Sequence, residues 1–228
     1  LNNILKFAKI NKVKRILYFS SSEIYGDPNS KNIPTKESYN GNVSCIGPRA
    51  CYDESKRMSE TLCYVYNKKY NIPVRIVRPF NNYGPGLSKF DKRLPADIAN
   101  NILKNKDIRL FSNGSPTRSF CYISDAVIGY LKAITHKNFA IFNIGNDKEE
   151  ISVKTLSQTY IKVAKKIFKY NKKIIYSKNK EKDYLTNNPN RRCPDLTYAR
   201  KKINYKPRIG IKEGVKRYLT FLIENKSK

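Results

Sequence analysis

Histidine occurs once in 228 residues, at His136 in a polar THKN turn; methionine also occurs once and tryptophan not at all. One imidazole leaves little room for histidine base chemistry or for a metal site built on two imidazoles. The five cysteines, Cys45, Cys51, Cys63, Cys121 and Cys193, are odd in number and contain no CxxC pair, which argues against a metal cluster and a disulfide framework. That usage fits a reducing compartment. Acidic residues are scarce: 18 Asp plus Glu stand against 46 Lys plus Arg, a formal charge of +28. Lysine is scattered through NKKYN, KNKD and KYNKKIIYSKNKEK instead of being gathered into one arm, and no RNA-recognition, zinc-finger or helix-turn-helix signature accompanies it. Compositional bias is the reading, with no specific nucleic-acid partner expected, although such a field suits an anionic ligand such as a nucleotide diphosphate. No apolar stretch reaches the length of a membrane span, and LNNILKFAKI is too interrupted for a signal peptide, so no membrane partner and a cytoplasmic location are expected.

What the sequence does have is alternation. A helical spacing over about 2–11 (Ile4, Leu5, Ala8) leads to RILYFS (15–20), a short apolar run that reads as a buried parallel strand opening into Ser20, Ser21 and Ser22. After a Pro/Gly/Asn-rich loop, residues 51–71 read as a helix with Leu62, Val65 and Tyr66 on its core stripe, and VRIVR (74–78) as the next strand, ended by Pro79. A second half follows: helices near 94–105 and 152–168, strands at 108–111, 142–145 and 173–176, a strand-to-helix segment SFCYISDAVIGYLKAI, an irregular polar run to about 196 and a helix over 211–225. This order predicts an α/β fold with a parallel sheet. Ligands of such sheets bind at the carboxyl ends of the strands, so the ends of RILYFS and VRIVR are the first place to look for chemistry.

Tyr52 and Lys56 in GPRACYDESKR lie four residues apart, on one helical face. A phenol with an ordinary pKa of about 10 is a poor base near neutrality, and a neighbouring ammonium favours its phenolate. Alone, this spacing is more often a solvated helix face. Its context is more specific: the serines of SSSE precede it, and Arg78-Pro79-Phe80-Asn81 follows at the end of the next strand.

Five segments in order, FSSSEIYGDP, GNVSCIGPRACYDESKRMSETL, VRPFNNYGPG, GSPTRSFCYISD and FNIGN, resemble the successive motifs of the extended short-chain dehydrogenase/reductase superfamily, the NAD-dependent nucleotide-sugar epimerases and dehydratases. Within it, GNVxxIGPRxCYDExKR is similar to the UDP-glucuronate decarboxylases, or UDP-xylose synthases. The resemblance implies a Rossmann-like parallel sheet with a smaller C-terminal substrate-binding region. Residues 1–86 would carry the NAD-binding part, and 87–228 mainly the nucleotide-sugar region, with about 119–146 returning to the sheet.

It also implies roles. Tyr52 exchanges a proton with the sugar, Lys56 holds the nicotinamide ribose and tunes Tyr52, and Ser22 hydrogen-bonds the reacting hydroxyl. Ser20 and Pro79 join Tyr52 and Lys56 around NAD. Arg49, Asn81, Arg109, Phe111, Arg118 and Arg192 face the substrate. Arg192, or its neighbour Arg191, approaches the uronate as a proton donor. Glu23 after Ser22 matches the decarboxylases, whereas 4,6-dehydratases have an Asp-Glu pair there and 4-epimerases usually have no acid. No metal is implied. A homodimer through the Tyr52 helix is implied, with Met58, Leu62 and Val65 as interface candidates or, equally, as core.

One motif is missing. The sequence contains no GxGxxG opening a helix after a strand; Gly84 and Gly86 follow the wrong strand. The expectation is an N-terminally truncated member with about the first third of the family's length upstream of Leu1. A 4,6-dehydratase or 4-epimerase, and outside catalysis an inactive remnant or a basic polyanion-binding protein, are the alternatives.

Overall fold

The computed structural model describes residues 1–88, 90–177 and 189–225. Helix α1 (Asn2–Ile10) buries Leu5 and Ala8 but leaves Ile4 exposed, so its core stripe is narrower than the spacing implied. Strand β1 (Ile16–Phe19) runs into a short 3₁₀ turn, Ser22–Tyr25, which the Ser21 hydroxyl caps by accepting from the Glu23 amide. Helix α2 (Ala50–Tyr70) ends at Asn71, whose left-handed φ of 52° closes the last turn, and Pro73 prevents its continuation. Strand β2 (Val74–Pro79) follows.

Next come β3 (Asn82–Tyr83), α3 (Leu94–Leu103), β4 (Ile108–Leu110), β5 (Thr117–Ser119), β6 (Cys121–Tyr122), α4 (Ile123–Thr135) and β7 (Ala140–Ile144). The chain continues through β8 (Glu150–Ser152), α5 (Val153–Ile167), β9 (Ile174–Tyr176), β10 (Arg191–Arg192), α6 (Thr197–Ile203) and α7 (Ile211–Glu224).

Strands β1, β2 and β7 form a parallel sheet in that order, in register at Ile16 with Val74 and Ile76 with Ile141. Both faces are covered. Leu5, Ala8, Cys63, Ile72, Val74 and Ile76 pack on one side. On the other, Val77, Ala126, Ala133, Phe142, Ile144, Leu196, Ala199 and Tyr205 form a second cluster. This doubly covered parallel sheet is the Rossmann-like arrangement expected of near-continuous apolar strands. In the second half α3, α5 and α7 close around the β4–β9 pair, burying Ile98, Ile102, Ile108, Leu110, Leu156, Tyr160, Val215 and Leu219.

The halves are stitched together beside the strand ends. The Thr35 amide donates to the Cys193 carbonyl and the Asp195 amide to the Thr35 carbonyl, both at 2.9 Å. The Asn190 amide donates to Asp27 Oδ1 at 3.1 Å. Two expectations are corrected. Val65 is not on the core stripe of α2: it is 43% exposed, because Cys63 defines the buried face and two further residues rotate the chain by about 200°. Leu62 and Tyr66 do pack toward the core. The run to about 196 is not wholly irregular, since Arg191–Arg192 is a strand, paired in parallel with β5; residues 178–188 lie outside the described residues.

Candidate active site

The carboxyl end of β1 turns at Ser20, which is 4% exposed and whose Oγ has no hydrogen-bond partner. One residue earlier, the Phe19 carbonyl accepts a hydrogen bond from Lys56 Nζ at 2.8 Å. Helix α2 places Tyr52 in its first turn and Lys56 one turn on, and the ammonium lies 5.7 Å from the Tyr52 ring centroid. Tyr52 is 48% exposed, with its ring open to solvent, whereas Ser22 is buried in the 3₁₀ turn that packs against α2. Pro79 ends β2, and the Phe80 amide is held by the Ile144 carbonyl of β7. Ser20, Ser22, Tyr52, Lys56 and Pro79 thus gather along one edge of the sheet.

A charged cluster closes this edge. Glu23 is clamped by two guanidiniums: Arg49, at the start of α2, and Arg192, from β10, whose Nη2 donates to Glu23 Oε2 at 2.9 Å. Burial by itself would raise the Glu23 carboxyl, but the charges and hydrogen bonds of Arg192 and Arg49 outweigh it and hold the group below its ordinary range. Arg191 points the other way and pairs with Glu150 at 2.7 Å on the surface. Two-residue alternation along β10 therefore decides the register, with Arg192 inward and 4% exposed.

Arg118 lies beside Arg192 across the β5–β10 pair. It is buried and donates to the carbonyls of Thr117, Pro189 and Asn190; burial first, and then the Arg192 charge, bring it down to about 10. Asn81, with a positive φ of 41°, donates to the Ser119 carbonyl at 2.9 Å. Arg109 stands exposed on β4 and Phe111 is half-buried just after it.

Sequence spacing missed Asp53. It neighbours Tyr52 but sits about 100° around the helix from it, and is 6% exposed with Oδ1 unpartnered. Burial, then the Glu23 charge, raise its carboxyl. Arg49 Nε and Arg192 Nε are likewise buried without partners. Unpaired buried polar atoms are uncommon in folded proteins, and with Ser20 Oγ four of them belong to this cluster. Arg78 lines no open space: it is buried, donating to both Glu60 oxygens at 2.9 and 2.6 Å and to the Tyr25 hydroxyl at 2.7 Å. It braces the site from beneath. Arg57 ties the loop down by donating to the Ile24 and Asn40 carbonyls.

The arrangement offers a phenol and an ammonium for proton exchange, with a carboxylate between guanidiniums beside them. Among the described residues no His/Cys/Asp/Glu group able to hold a metal ion is found.

The sequence model of the NAD dependent epimerase/dehydratase family matches residues 1–145. UDP-glucuronic acid decarboxylase 6 of Arabidopsis thaliana is 37% identical over 201 residues, covering 88% of this chain and 55% of that protein. UDP-glucuronic acid decarboxylase 1 of Xenopus tropicalis is 32% identical over 207 residues, covering 91% and 46%. The chain spans about half the length of the curated relatives it matches. Among solved structures, UDP-glucose 4-epimerase from Thermotoga maritima with UDP-glucose superposes with a TM-score of 0.83 at 23% identity, covering 97% of this chain and 67% of that one. UDP-glucuronic acid 4-epimerase from Bacillus cereus, in complex with UDP-glucuronic acid and NAD, gives 0.76 at 25% identity, covering 97% and 65%. The chain belongs to the NAD dependent epimerase/dehydratase family.

Proposed function

We propose that this chain carries the proton-transfer half of a UDP-glucuronate decarboxylase, converting UDP-glucuronate to UDP-xylose and carbon dioxide. The observation that carries the reading is Glu23, next to Ser22 and clamped by Arg49 and Arg192 on the sheet edge that holds Tyr52 and Lys56. The similarity to curated decarboxylases supports the same substrate.

The residues present fit the nicotinamide end of NAD: Ser20 Oγ is buried and unpartnered one residue after the carbonyl that holds the Lys56 ammonium, with Tyr52 and Pro79 along the same edge. The sequence contains no glycine-rich pyrophosphate turn, so the fit is to that end alone. When bound, NAD supplies reversible hydride chemistry at C4 of the sugar. The remaining work falls to the chain's own groups. Tyr52 takes the C4 hydroxyl proton, Lys56 holds its ammonium beside the Tyr52 ring, and Ser22 donates a hydrogen bond to the reacting oxygen. With C4 a ketone, the C5 carboxylate is a β-keto acid; the C5–C6 bond breaks, carbon dioxide leaves, and its electron pair enters the enolate. Arg192 directs a proton to C5, while Glu23 keeps the guanidinium in place. As C4 is reduced, Tyr52 returns its proton to the oxygen. Arg49, Asn81, Arg109, Phe111 and Arg118 are the proposed nucleotide-sugar contacts.

The test is incubation with NAD and UDP-glucuronate labelled at the carboxyl carbon. Labelled carbon dioxide with a UDP-pentose supports the reading. Retained label in a 4-epimer overturns it in favour of an epimerase, a 4-keto-6-deoxy product from dTDP-glucose in favour of a dehydratase, and no NAD binding by calorimetry in favour of a non-enzymatic remnant. The same reading makes the active form a homodimer through α2, where Met58 and Val65 are 58% and 43% exposed while Leu62 is drawn into the core. The five cysteines are free, which supports a cytoplasmic location. In this reading residues 1–86 serve the cofactor, and 87–228 mainly the nucleotide sugar, with about 119–146 rejoining the sheet.

A further inference from the structure

Three groups meet the Lys56 ammonium. The Phe19 carbonyl accepts from it at 2.8 Å, the Tyr52 ring centroid is 5.7 Å away, and the Tyr18 ring centroid is nearer, at 5.4 Å. Tyr18 belongs to none of the motifs above. It stands on β1, with its hydroxyl near Ser59, one turn beyond Lys56 on α2. Tyr52, Lys56, Ser59 and Cys63 are spaced by four, three and four residues, a single helical stripe, and Tyr18 lies across it. The Tyr18 ring therefore lies between its strand and the Lys56–Ser59 stretch of α2.

We propose that Tyr18 is a positioning residue for Lys56, its ring face holding the ammonium at the end of β1 between the Phe19 carbonyl and the Tyr52 ring. A lysine head on a flexible four-carbon stem keeps many rotamers when a single carbonyl directs it. A ring face beside it favours the positive charge at one height above the strand. The proposal deepens the reading of Tyr52 and Lys56 as the reacting pair and rests on it for its catalytic meaning.

The experiment is competitive acylation of the whole chain with a trace amine reagent, scored lysine by lysine by mass spectrometry, with the exposed Lys104 and Lys106 as internal references. Tyr18→Leu, and Tyr18→Ile as a β-branched alternative suited to a strand, should raise Lys56 labelling relative to the references by about two- to fivefold, the scale of one partly exposed cation–π contact. Tyr18→Phe, which keeps the ring, should leave the ratio within error of the parent. The references are already exposed, so general loosening is scored separately, by circular dichroism and a melting midpoint that stay at the parent's values in the variants. An unchanged ratio in the aliphatic variants, or an equal rise in Tyr18→Phe, overturns the proposal. Because the readout uses neither substrate nor cofactor, its failure leaves decarboxylation standing, and absence of turnover leaves the Lys56 geometry standing.

Discussion

Glu23 and Asp53 are carboxyls of one cluster with opposite acid–base character. Burial raises both, but only Glu23 has guanidiniums that reverse the effect. A carboxyl held low when folded contributes stability above its ordinary range and loses it as pH falls through the folded value. A carboxyl held high does the reverse: its ionisation opposes folding at neutral pH, and the opposition fades in acid. Glu23→Gln should therefore destabilise the chain at pH 7 by about 1–3 kcal/mol, the scale of a broken, mostly buried charged hydrogen bond. That deficit should shrink as pH falls below the usual glutamate range. Asp53→Asn should stabilise at pH 7, with a gain that shrinks as pH falls through the raised folded value of Asp53 and is gone below the usual aspartate range. Urea unfolding midpoints from neutral to acid pH check both, and parallel curves for the two variants would contradict the assignment. Of these two residues only Glu23 was legible in the sequence, through its place after Ser22. Asp53 carries no such sign, because its burial depends on how α2 is rotated against the 3₁₀ turn.

Helix α2 is joined to the sheet by a charged bolt. Glu60 and Arg78 pair through two hydrogen bonds with side chains only 11% and 7% exposed, and Arg78 also holds the Tyr25 hydroxyl, which donates to Asn143 Oδ1 on β7 at 2.8 Å. Removing one partner leaves the other charge buried: Arg78→Leu should lower unfolding stability by about 3–5 kcal/mol, and pairing it with Glu60→Leu should recover much of that loss. Calorimetric melting of the single and double variants measures this coupling. A second contact is steric. Gly129 of α4 faces β7, and a Cβ there would lie 2.8 Å from both Ile144 Cγ2 and Tyr205 Cε2, so Gly129→Ala should cost about 1–3 kcal/mol by overpacking. The larger elements were legible because each carries its own signal: the apolar runs of β1 and β2, and the stop at Asn71 and Pro73 after α2. Strands β3, β8 and β10, two or three residues each, have no periodicity to read, since their pairing partners define them. The choice between Arg191 and Arg192 was hidden for the same reason.

At the scale of the whole molecule, exposed Met58 and Val65 predict association through α2. Met58→Asp and Val65→Asp together should shift sedimentation from a dimer to a monomer with unchanged circular dichroism, and a parent that already sediments as a monomer would remove the dimer from the proposal. The charge of +28 was plain in the sequence, but not the way its arginines divide between inward Arg192 and outward Arg191, which only the tertiary fold decides. The stitching of Asp27, Thr35 and Glu23 to residues 190–195 spans 163 residues at Asp27 and 169 at Glu23. Contacts so distant in sequence close only after much of the loop-closure entropy has been met, which slows folding. During synthesis β1, α2 and β2 precede residues 190–195, so the loop that completes their edge lacks those partners until the later segment has been translated. Until then Glu23 has Arg49 alone as its guanidinium partner, and the late closing of this edge is a direct consequence of where Arg192 sits in the chain.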